Sequence, residues 1–400
     1  MNVFLSRQEI LTPKLSVYGY ELLFRDSLSN SAGLIGDNKV ASAKVMESAF
    51  LEFDYGAMIG DRPAFLNVSR ELLNSELLPS RTCGCFGLEI LETEVVDDEL
   101  VRLVTGKAKQ GYLISLDDFH YSASWQPLVE LADIIKLDVL DLGSEGVSRE
   151  LGLLKNYSGK LLAEKVETLK EFNYYKSLGF DYFQGYFYAE PTFSLKKSIP
   201  QSKHITIKLL GELNRKEPCY NAIRNLIKQD ARLSFKLLKL VNSPFYSRAN
   251  RIDSLQEALV ALGLVEIRRW ITILTMSNFE DAPDVLIFSS VFRGNMCKNI
   301  AISLNKLDPD AFFTVGLFSH LETLLSMSFE KIFDQMNLSE RLVKALVEQD
   351  NEMGVILHAV IDFEQGKELP QGMLDLPESV VNEAYISSLK WAEVVYERIS

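Results

Sequence analysis

Acidic and amide side chains stand at the ends of short apolar runs throughout the first half of this sequence. The runs are Tyr18-Gly19-Tyr20-Glu21, Phe65-Leu66-Asn67, Gly87-Leu88-Glu89, Ile114-Ser115-Leu116-Asp117-Asp118, Ile134-Ile135-Lys136-Leu137-Asp138 and Leu161-Leu162-Ala163-Glu164. A carboxylate at the end of a buried strand costs free energy unless something pairs with it. Two carboxylates about 4 Å apart repel by roughly 4 kcal/mol at an effective dielectric constant near 20. Several carboxylates that converge on one place therefore favour a divalent cation, or two.

The elements that must position these side chains alternate between strand-like and helix-like segments. The predicted strands are Val3–Arg7, Val17–Arg25, Ala64–Val68, Phe86–Leu91, Tyr112–Leu116, Ile134–Leu137, Leu161–Ala163 and Tyr182–Gln184. The predicted helices are Val40–Phe53, Asp97–Lys107, Pro127–Ala132, Val147–Asn156 and Leu169–Ser177. About eight strands with intervening helices fit a (β/α) barrel, and a doubly wound open sheet is the alternative.

The barrel accounts for where the polar residues stand. Active sites of such barrels gather at the C-terminal ends of the strands, where side chains from several strands meet. The residues at or near those ends are Glu21, Asn67, Glu89, Asp117, Lys136 and Glu164. Within one strand, Glu21, Leu23 and Arg25 share a face because side chains alternate along a strand.

The pattern changes near residues 194–203, a polar stretch with a proline that we interpret as a linker. We therefore expect two domains, residues 1–197 and 198–400. Beyond the linker, apolar residues recur at helical spacing in Leu233, Leu237, Leu240 and Val241. Ser254 and Glu257 form a capping box, and Gly263 is expected to end that helix. The fold class is thus α/β followed by all-α.

Composition narrows the function classes. The chain has 400 residues, of which 47% are apolar, and a net charge of -13, which argues against a nonspecific nucleic-acid binder. No apolar stretch reaches the roughly 18 residues of a membrane span, and the N-terminus does not read as a secretory signal. The four cysteines, without zinc-site spacing, are expected to be reduced thiols in a cytoplasmic protein.

The motifs of the first half resemble the EAL family of cyclic-di-GMP phosphodiesterases. They occur in the family's order over about residues 1–195: Tyr20-Glu21-Leu22-Leu23-Phe24-Arg25, Phe65-Leu66-Asn67-Val68-Ser69, Leu88-Glu89-Ile90-Leu91-Glu92, Leu116-Asp117-Asp118-Phe119, Lys136-Leu137-Asp138, Ala163-Glu164-Lys165-Val166-Glu167 and Gln184-Gly185-Tyr186. The ordered set is far more specific than any one motif. The resemblance implies a modified (β/α)8 TIM barrel of the EAL type.

The second half resembles the HDOD domain, an all-helical relative of HD-type phosphohydrolases. The resemblance lies in the stretches 230–243 and 252–263. HD hydrolases need clustered histidines with a His-Asp dipeptide, and none of the four histidines here precedes an aspartate. We therefore expect no metal site in this half, and a structural role for His320 and His358. The EAL–HDOD order is that of a class of bacterial signalling proteins.

The resemblance implies hydrolysis of cyclic-di-GMP to the linear dinucleotide pGpG at a two-metal site holding Mg²⁺ or Mn²⁺. By motif, the metal ligands are Glu21, Asn67, Glu89, Asp117 and Asp118. Lys136 and the general base Glu164 join Glu21 in catalysis. Leu23, Arg25 and Gln184 are assigned to the substrate, and the residues that support the ligands are Glu92, Asp138 and Glu167. A protein partner on the HDOD domain, a homodimer and roles in motility and biofilm control are expectations of the same kind.

The pattern departs from the family after Asp117-Asp118-Phe119. A glycine-containing loop is usual there, whereas this chain has His120-Tyr121-Ser122-Ala123-Ser124, and Lys165 replaces the glycine common after the base. Two hypotheses follow: a working phosphodiesterase, which the altered loop would make slow, and a non-catalytic cyclic-di-GMP receptor that acts through the HDOD domain. We favour the enzyme because every direct metal ligand is retained.

The residues alone also leave plainer interpretations open. Lys136 and Asp138 could form a surface ion pair, and Asp117-Asp118 could cap a helix. Glu92 and Glu167 could be solvated side chains. The aromatic residues of 182–188 are better explained as packing than as a guanine platform.

Overall fold

The structure is a computed structural model that describes residues 4–25, 59–75, 78, 86–189, 201–215, 217–243, 246, 252–277, 283–334, 336, 338–367, 374 and 376–399. The chain divides into two compact units, one of residues 1–190 with 362–371 and one of residues 191–361 with 372–400. The predicted domain boundary at residue 197 lies outside the described residues and stays a prediction.

The first unit is built on a closed barrel of eight strands in sequence order. The strands are β1 Phe4–Leu11, β2 Val17–Arg25, β3 Ala64–Val68, β4 Phe86–Ile90, β5 Leu113–Leu116, β6 Ile134–Asp138, β7 Lys160–Glu164 and β8 Tyr182–Phe183. The strands from β2 to β8 are parallel, whereas β1 is antiparallel to both neighbours. The predicted barrel is confirmed, and the open-sheet alternative is wrong.

The helices of this unit are α1 Arg70–Leu73, α2 Asp98–Gln110, α3 Gln126–Val129, α4 Val139–Leu153 and α5 Leu169–Ser177. Helix α4 begins at Val139 and is interrupted at Gly143, whose φ of 59° is non-helical, so the predicted helix Val147–Asn156 corresponds to its second segment. Asp138 begins the first segment, because its Oδ1 accepts hydrogen bonds from the backbone N–H groups of Leu140 (2.9 Å) and Asp141 (3.0 Å). The predicted helix Val40–Phe53 lies outside the described residues.

The parallel register sets the polar residues side by side at one end of the barrel. Asn67 pairs with Glu89 across β3 and β4, and Asp138 pairs with Glu164 across β6 and β7. Parallel strands begin and end together in a barrel, so residues at their C-terminal ends converge. The backbone alone therefore brings these groups to a common mouth.

The second unit is helical in its described residues, as predicted. Its helices are α6 Gln201–Leu213, α7 Tyr220–Lys228, α8 Ala231–Val241, α9 Leu255–Met276, α10 Asp284–Ser303, α11 Pro309–Phe318, α12 Leu321–Leu325, α13 Phe329–Phe333, α14 Glu340–Val347, α15 Glu352–Glu364 and α16 Glu378–Ile399. Ser254 caps α9, as expected, through the N–H of Glu257 (3.1 Å). Gly263 ends the first helical segment of α9, as expected, because its φ of 75° is non-helical, and a second segment follows directly after it.

The expectations about membrane-spanning segments and about the cysteines can be compared with the described residues. None of the described helices has the length and apolarity that crossing a bilayer requires. Cys219 and Cys297 are free thiols, as expected, and Cys83 and Cys85 lie outside the described residues.

The turn that leads away from β8 requires glycine at position 185. Gly185 has a φ of +139°, and a Cβ there would lie 2.0 Å from the carbonyl oxygen of Val166. We expect Gly185→Ala to destabilise the barrel by about 2–4 kcal/mol, because backbone strain and overlap add. Gly152→Ala is the control, since a Cβ there meets open space. Urea unfolding of both variants tests this, and equal midpoints would contradict it.

Candidate active site

The ammonium group of Lys136 lies at the point where four carboxylates meet. Its Nζ is 3.0 Å from Glu21 Oε2, 3.1 Å from Glu89 Oε1, 2.6 Å from Asp117 Oδ1 and 2.9 Å from Glu164 Oε1. The lysine side chain is only 1% exposed. Five residues from β2, β4, β6, β7 and the end of β5 therefore form one buried ionic cluster, which we call the carboxylate cage.

Backbone hydrogen bonds hold the two strand ends that carry Asp117 and Lys136. The N–H of Asp117 donates to the carbonyl of Ile90 (3.0 Å), which closes the end of β5 against β4. The N–H of Phe119 donates to the carbonyl of Lys136 itself (3.0 Å). Asp117 is thus fixed on both sides, so its carboxylate stays beside the ammonium group.

Glu21 has the most hydrogen-bond donors of the four carboxylates. Asn67 Nδ2 donates to its Oε1 (3.0 Å), and Gln184 Nε2 donates to its Oε2 (2.7 Å). Gln184 is buried and also donates to Gln8 Oε1 (3.0 Å). Sequence reasoning missed Gln8 because it ended the first strand at Arg7. Only the pairing of the antiparallel strands β1 and β2 places Gln8 opposite Glu21, and the sequence does not give that pairing.

The cage carries more negative than positive charge, and the pKa values of its members express this imbalance. Burial, together with the charge of Glu21, raises the pKa of Glu89 well above its ordinary value. Burial likewise raises the pKa of Asp117. Burial raises the pKa of Glu164 to about 8, against the opposing attraction of Lys136. With a pKa of about 8, Glu164 is mostly protonated near neutral pH, and the raised pKa values of Glu89 and Asp117 shift both groups in the same direction.

Glu21 and Lys136 are the two members whose charged forms are favoured. Burial alone would raise the pKa of Glu21, but Lys136, Gln184 and Asn67 together outweigh it and lower the pKa. Burial alone would lower the pKa of Lys136, but the four carboxylates outweigh it and raise the pKa well above its ordinary value. Glu21 and Lys136 are therefore the ion pair of the cage in which the charged form of both partners is favoured.

The donor set fits a hard divalent cation. Several buried oxygens in the cage accept no hydrogen bond: Asn67 Oδ1, both oxygens of Glu89 and Glu164 Oε2. Carboxylate and amide oxygens are the ligands that Mg²⁺ and Mn²⁺ prefer. Within the described residues, however, no three acidic, histidine or cysteine side chains are arranged around a vacant metal position. The Lys136 ammonium lies where the carboxylates converge, so a cation must compete with it for their oxygens.

A second, smaller ionic cluster borders the cage. The Lys165 ammonium bonds Asp138 Oδ2 and lies 3.5 Å from Asp118 Oδ1. Burial opposes the charge of Lys165, but these carboxylates outweigh it and raise its pKa. Asp118 and Lys165 both have left-handed backbones, with φ of 40° and 55°. Such conformations cost about 1 kcal/mol or more each, so the fold holds this pair against local strain.

The loop after Asp118 is held by a residue that sequence reasoning did not identify. Glu150 of α4 is buried, and its Oε2 accepts from the N–H of Tyr121 (3.0 Å). The loop then forms a short 3-10 helix, Ala123–Trp125, whose tryptophan packs edge-on against Phe119 (5.9 Å between ring centroids). Asp117-Asp118 therefore precede a loop and do not cap a helix.

Other predicted residues lie apart from the cage or are partly described. Glu92 and Glu167 are exposed, and no contact among the described residues joins either side chain to the cage, which agrees with the interpretation as solvated side chains. Leu23 is half-buried on β2, and Arg25 ends that strand with a side chain outside the description. The surface-pair interpretation of Lys136 and Asp138 is wrong, because Lys136 is buried in the cage.

The aromatic residues near β8 pack against one another in the interior of the barrel unit. Phe183 and Phe187 are fully buried, and the ring of Phe172 on α5 lies 4.7 Å from each of theirs between centroids. The hydroxyl of Tyr186 donates to the carbonyl of Glu364 (2.8 Å). These rings hold the end of the barrel together, so the packing interpretation is favoured over a guanine platform.

Histidines in the helical unit serve as hydrogen-bonding groups. His320 is buried, with Nε2 3.0 Å from Ser289 Oγ, and burial and Arg293 lower its pKa well below the ordinary value. His358 Nδ1 lies 2.9 Å from Gln349 Oε1. His204 has its side chain outside the description. The structural role expected for His320 and His358 fits these contacts.

Comparison with known proteins identifies both halves. Residues 199–362 match the HDOD domain model, so the chain carries an HDOD domain there. The chain is 29% identical to the cyclic di-GMP phosphodiesterase CdgJ of Vibrio cholerae, over 98% of this chain and 93% of that protein. It is 29% identical to YuxH of Bacillus subtilis, over 98% of each. The expected order of an eight-stranded barrel followed by an HDOD domain is confirmed.

A solved structure with a related barrel covers the first half. A standalone EAL protein from Vibrio cholerae in its c-di-GMP-bound form is 22% identical, with a TM-score of 0.39, over 48% of this chain and 93% of that one.

The raised pKa values make metal binding depend on pH. Glu89, Asp117 and Glu164 must lose protons to ligate a cation or serve as a base, so binding releases protons at pH 7. We expect the apparent affinity for Mg²⁺ to rise from pH 6 to about pH 8, where Glu164 titrates. Calorimetry in buffers of different ionisation enthalpy measures the release. A pH-independent affinity without proton release would contradict this account.

Proposed function

We propose that this chain is a divalent-metal-dependent phosphodiesterase that hydrolyses cyclic-di-GMP to pGpG, with a non-catalytic HDOD domain that links it to signalling. The observation that carries the proposal is the carboxylate cage, whose buried, unsatisfied oxygens fit cations. Similarity to CdgJ over almost the whole chain supports the same reaction. The complete set of predicted ligands favours an enzyme over a receptor.

In the proposal, Glu21, Asn67, Glu89 and Asp117 would hold one Mg²⁺ or Mn²⁺, and Asp117 and Asp118 would hold a second. When bound, such ions would neutralise charge on the phosphate and lower the pKa of the attacking water. Glu21 is suited to be the permanent anion of the site, because its pKa is lowered while those of Glu89 and Asp117 are raised.

Glu164 is proposed as the general base. Its Oε1 is held by Lys136 (2.9 Å), and its Oε2 is buried without a hydrogen-bond partner, so Oε2 is the atom that takes the proton from the attacking water. A pKa of about 8 keeps a useful fraction of Glu164 ionised near neutral pH, and added positive charge in the cage increases it. Lys136 orients this carboxylate and stabilises its ionised form.

The bond changes balance as follows. The water oxygen forms a bond to phosphorus while one phosphorus–ribose oxygen bond breaks, and the proton of the water passes to Glu164. The departing ribose oxygen gains a proton, and the ring opens to pGpG with a terminal phosphate. Gln184 is buried and bonded to Glu21 and Gln8, so we assign it to holding Glu21 as well as to the substrate side. Leu23 and Arg25 stay proposed substrate contacts, and Asp138 supports the site through Lys165.

The remaining expectations are proposals about the cellular setting. A protein partner on the HDOD domain and a homodimer follow from the resemblance, and so does control of motility and biofilm formation. The proposed cytoplasmic location follows instead from the cysteine usage.

Removing Glu21 tests the reaction. We expect Glu21→Ala to lower the rate of pGpG formation by roughly a thousandfold or more, because it removes a ligand and leaves Lys136 without its innermost partner. Glu145→Ala, at an exposed carboxylate, is the control and should keep the rate. The measurement is chromatographic detection of pGpG with Mg²⁺ or Mn²⁺. Tight binding of cyclic-di-GMP by the unaltered chain without turnover would support the receptor instead.

Lys165 is predicted to weaken the second metal position, because its ammonium already neutralises Asp118 and Asp138. We expect Lys165→Ala to strengthen binding of the second Mn²⁺ by roughly tenfold. The control is Lys160→Ala. It removes the ammonium group of Lys160 on β7, which forms an ion pair with Asp181 at 2.7 Å, away from Asp118 and Asp138. Calorimetric titration with Mn²⁺ in the absence of nucleotide reads both sites. An unchanged second affinity in Lys165→Ala would contradict the prediction.

A further inference from the structure

A cavity of about 450 Å³ in the helical unit concentrates positive charge in a chain of net charge -13. Three arginines, Arg215, Arg268 and Arg341, line it together with one carboxylate, Asp308. Guanidinium groups repel one another, so three around one space call for a negative charge between them. The volume falls in the range of small-molecule sites.

The acidic neighbours of these arginines do not balance them. Arg341 is 3.1 Å from Glu352 Oε1, but Lys306 binds the other oxygen of that carboxylate at 2.8 Å. The single negative charge of Glu352 is thus shared by two cationic side chains, Arg341 and Lys306. Arg341 also lies in the first turn of α14, where the helix dipole disfavours positive charge. Stability of the helix therefore does not explain an arginine at this position.

Arg268 lines the cavity but forms no ion pair with an acidic side chain among the described residues. Its positive charge is therefore available to an anion in the cavity, whereas its Nε is closed off from solvent and out of reach of such a ligand. Arg215 is partly neutralised by Glu212 (3.0 Å), whose other oxygen accepts from the N–H of Cys219 (2.8 Å).

We propose that this cavity binds a small phosphate-bearing ligand of nucleoside monophosphate size. Arginine forks match phosphate oxygens, and the hydroxyl-bearing Ser339 and Thr314 also line the space. Asp308 would accept a hydrogen bond from a ribose hydroxyl or a base N–H, which a bare inorganic ion does not offer. All of these residues lie within the HDOD domain, 199–362. The site is separate from the carboxylate cage and does not depend on the phosphodiesterase proposal.

The test uses the full chain and GMP as the probe, titrated calorimetrically in EDTA, with guanosine and inorganic phosphate in parallel. We expect one GMP to bind, and guanosine to bind at least tenfold more weakly because it lacks the phosphate. Arg268→Met and Arg341→Met should each weaken GMP binding by roughly tenfold or more. Arg102→Met, at an exposed arginine of the barrel, is the matched control and should bind GMP normally.

The outcomes separate this site from the barrel. GMP binding that survives unchanged in both Arg268→Met and Arg341→Met would locate the nucleotide elsewhere and overturn the proposal. Absence of GMP binding to the unaltered chain at millimolar concentration would also overturn it. Circular dichroism and the melting temperature of each variant exclude unfolding as the cause of a loss. Cyclic-di-GMP turnover by Arg268→Met reports on the barrel separately, so failure of one proposal leaves the other testable.

Discussion

The account depends on a single buried lysine that faces four carboxylates. Lys136 is almost wholly enclosed, and its ammonium lies within 3.1 Å of an oxygen from each of them. One positive charge cannot balance four negative ones in a medium of low dielectric constant, so the cage must take up protons or cations. Burial raises the pKa of Glu89, Asp117 and Glu164, so the cage favours protonated carboxyl groups more than these side chains do in water. A protein that binds divalent cations in exchange for these protons has the means to activate water.

Side chains around the cage form hydrogen bonds and ion pairs with its carboxylates and with the neighbouring Asp138. The reversed β1 brings Gln8 opposite Glu21, where it orients Gln184, and Gln184 in turn donates to Glu21. Asp138 caps α4 with one oxygen and binds Lys165 with the other. Strained backbones at Asp118 and Lys165 are retained where those two residues meet. The strain is local, and it accompanies the contact between the Lys165 ammonium and Asp118 Oδ1 at 3.5 Å.

Sequence reasoning predicted the barrel and the cage because both follow from short-range patterns. Strands β2 and β3 were placed at their observed bounds, since period-two alternation and polar strand ends mark them. The acids that end parallel strands converge for the same reason, so their meeting place follows once the barrel is assumed. The position of Lys136 at the centre could be expected only as part of the motif set.

Sequence reasoning missed residues whose role depends on contacts distant in sequence, and residues that have two roles at once. Gln8 becomes a site residue only through the antiparallel register, and Glu150 reaches the loop at Tyr121 from a different helix. The start of α4 was placed late because Asp138 serves both as strand end and as cap. The arginine-lined cavity is formed by five separate segments of the chain, so no local sequence pattern predicts it.

Anomalous diffraction at the manganese edge from crystals grown with Mn²⁺ tests the central claim most directly. The account predicts a manganese ion bonded to oxygens of Glu21, Asn67, Glu89 and Asp117, with the Lys136 ammonium no longer contacting all four carboxylates. A cage in which Lys136 keeps its four contacts, with no manganese at the barrel mouth at saturating Mn²⁺, would contradict it.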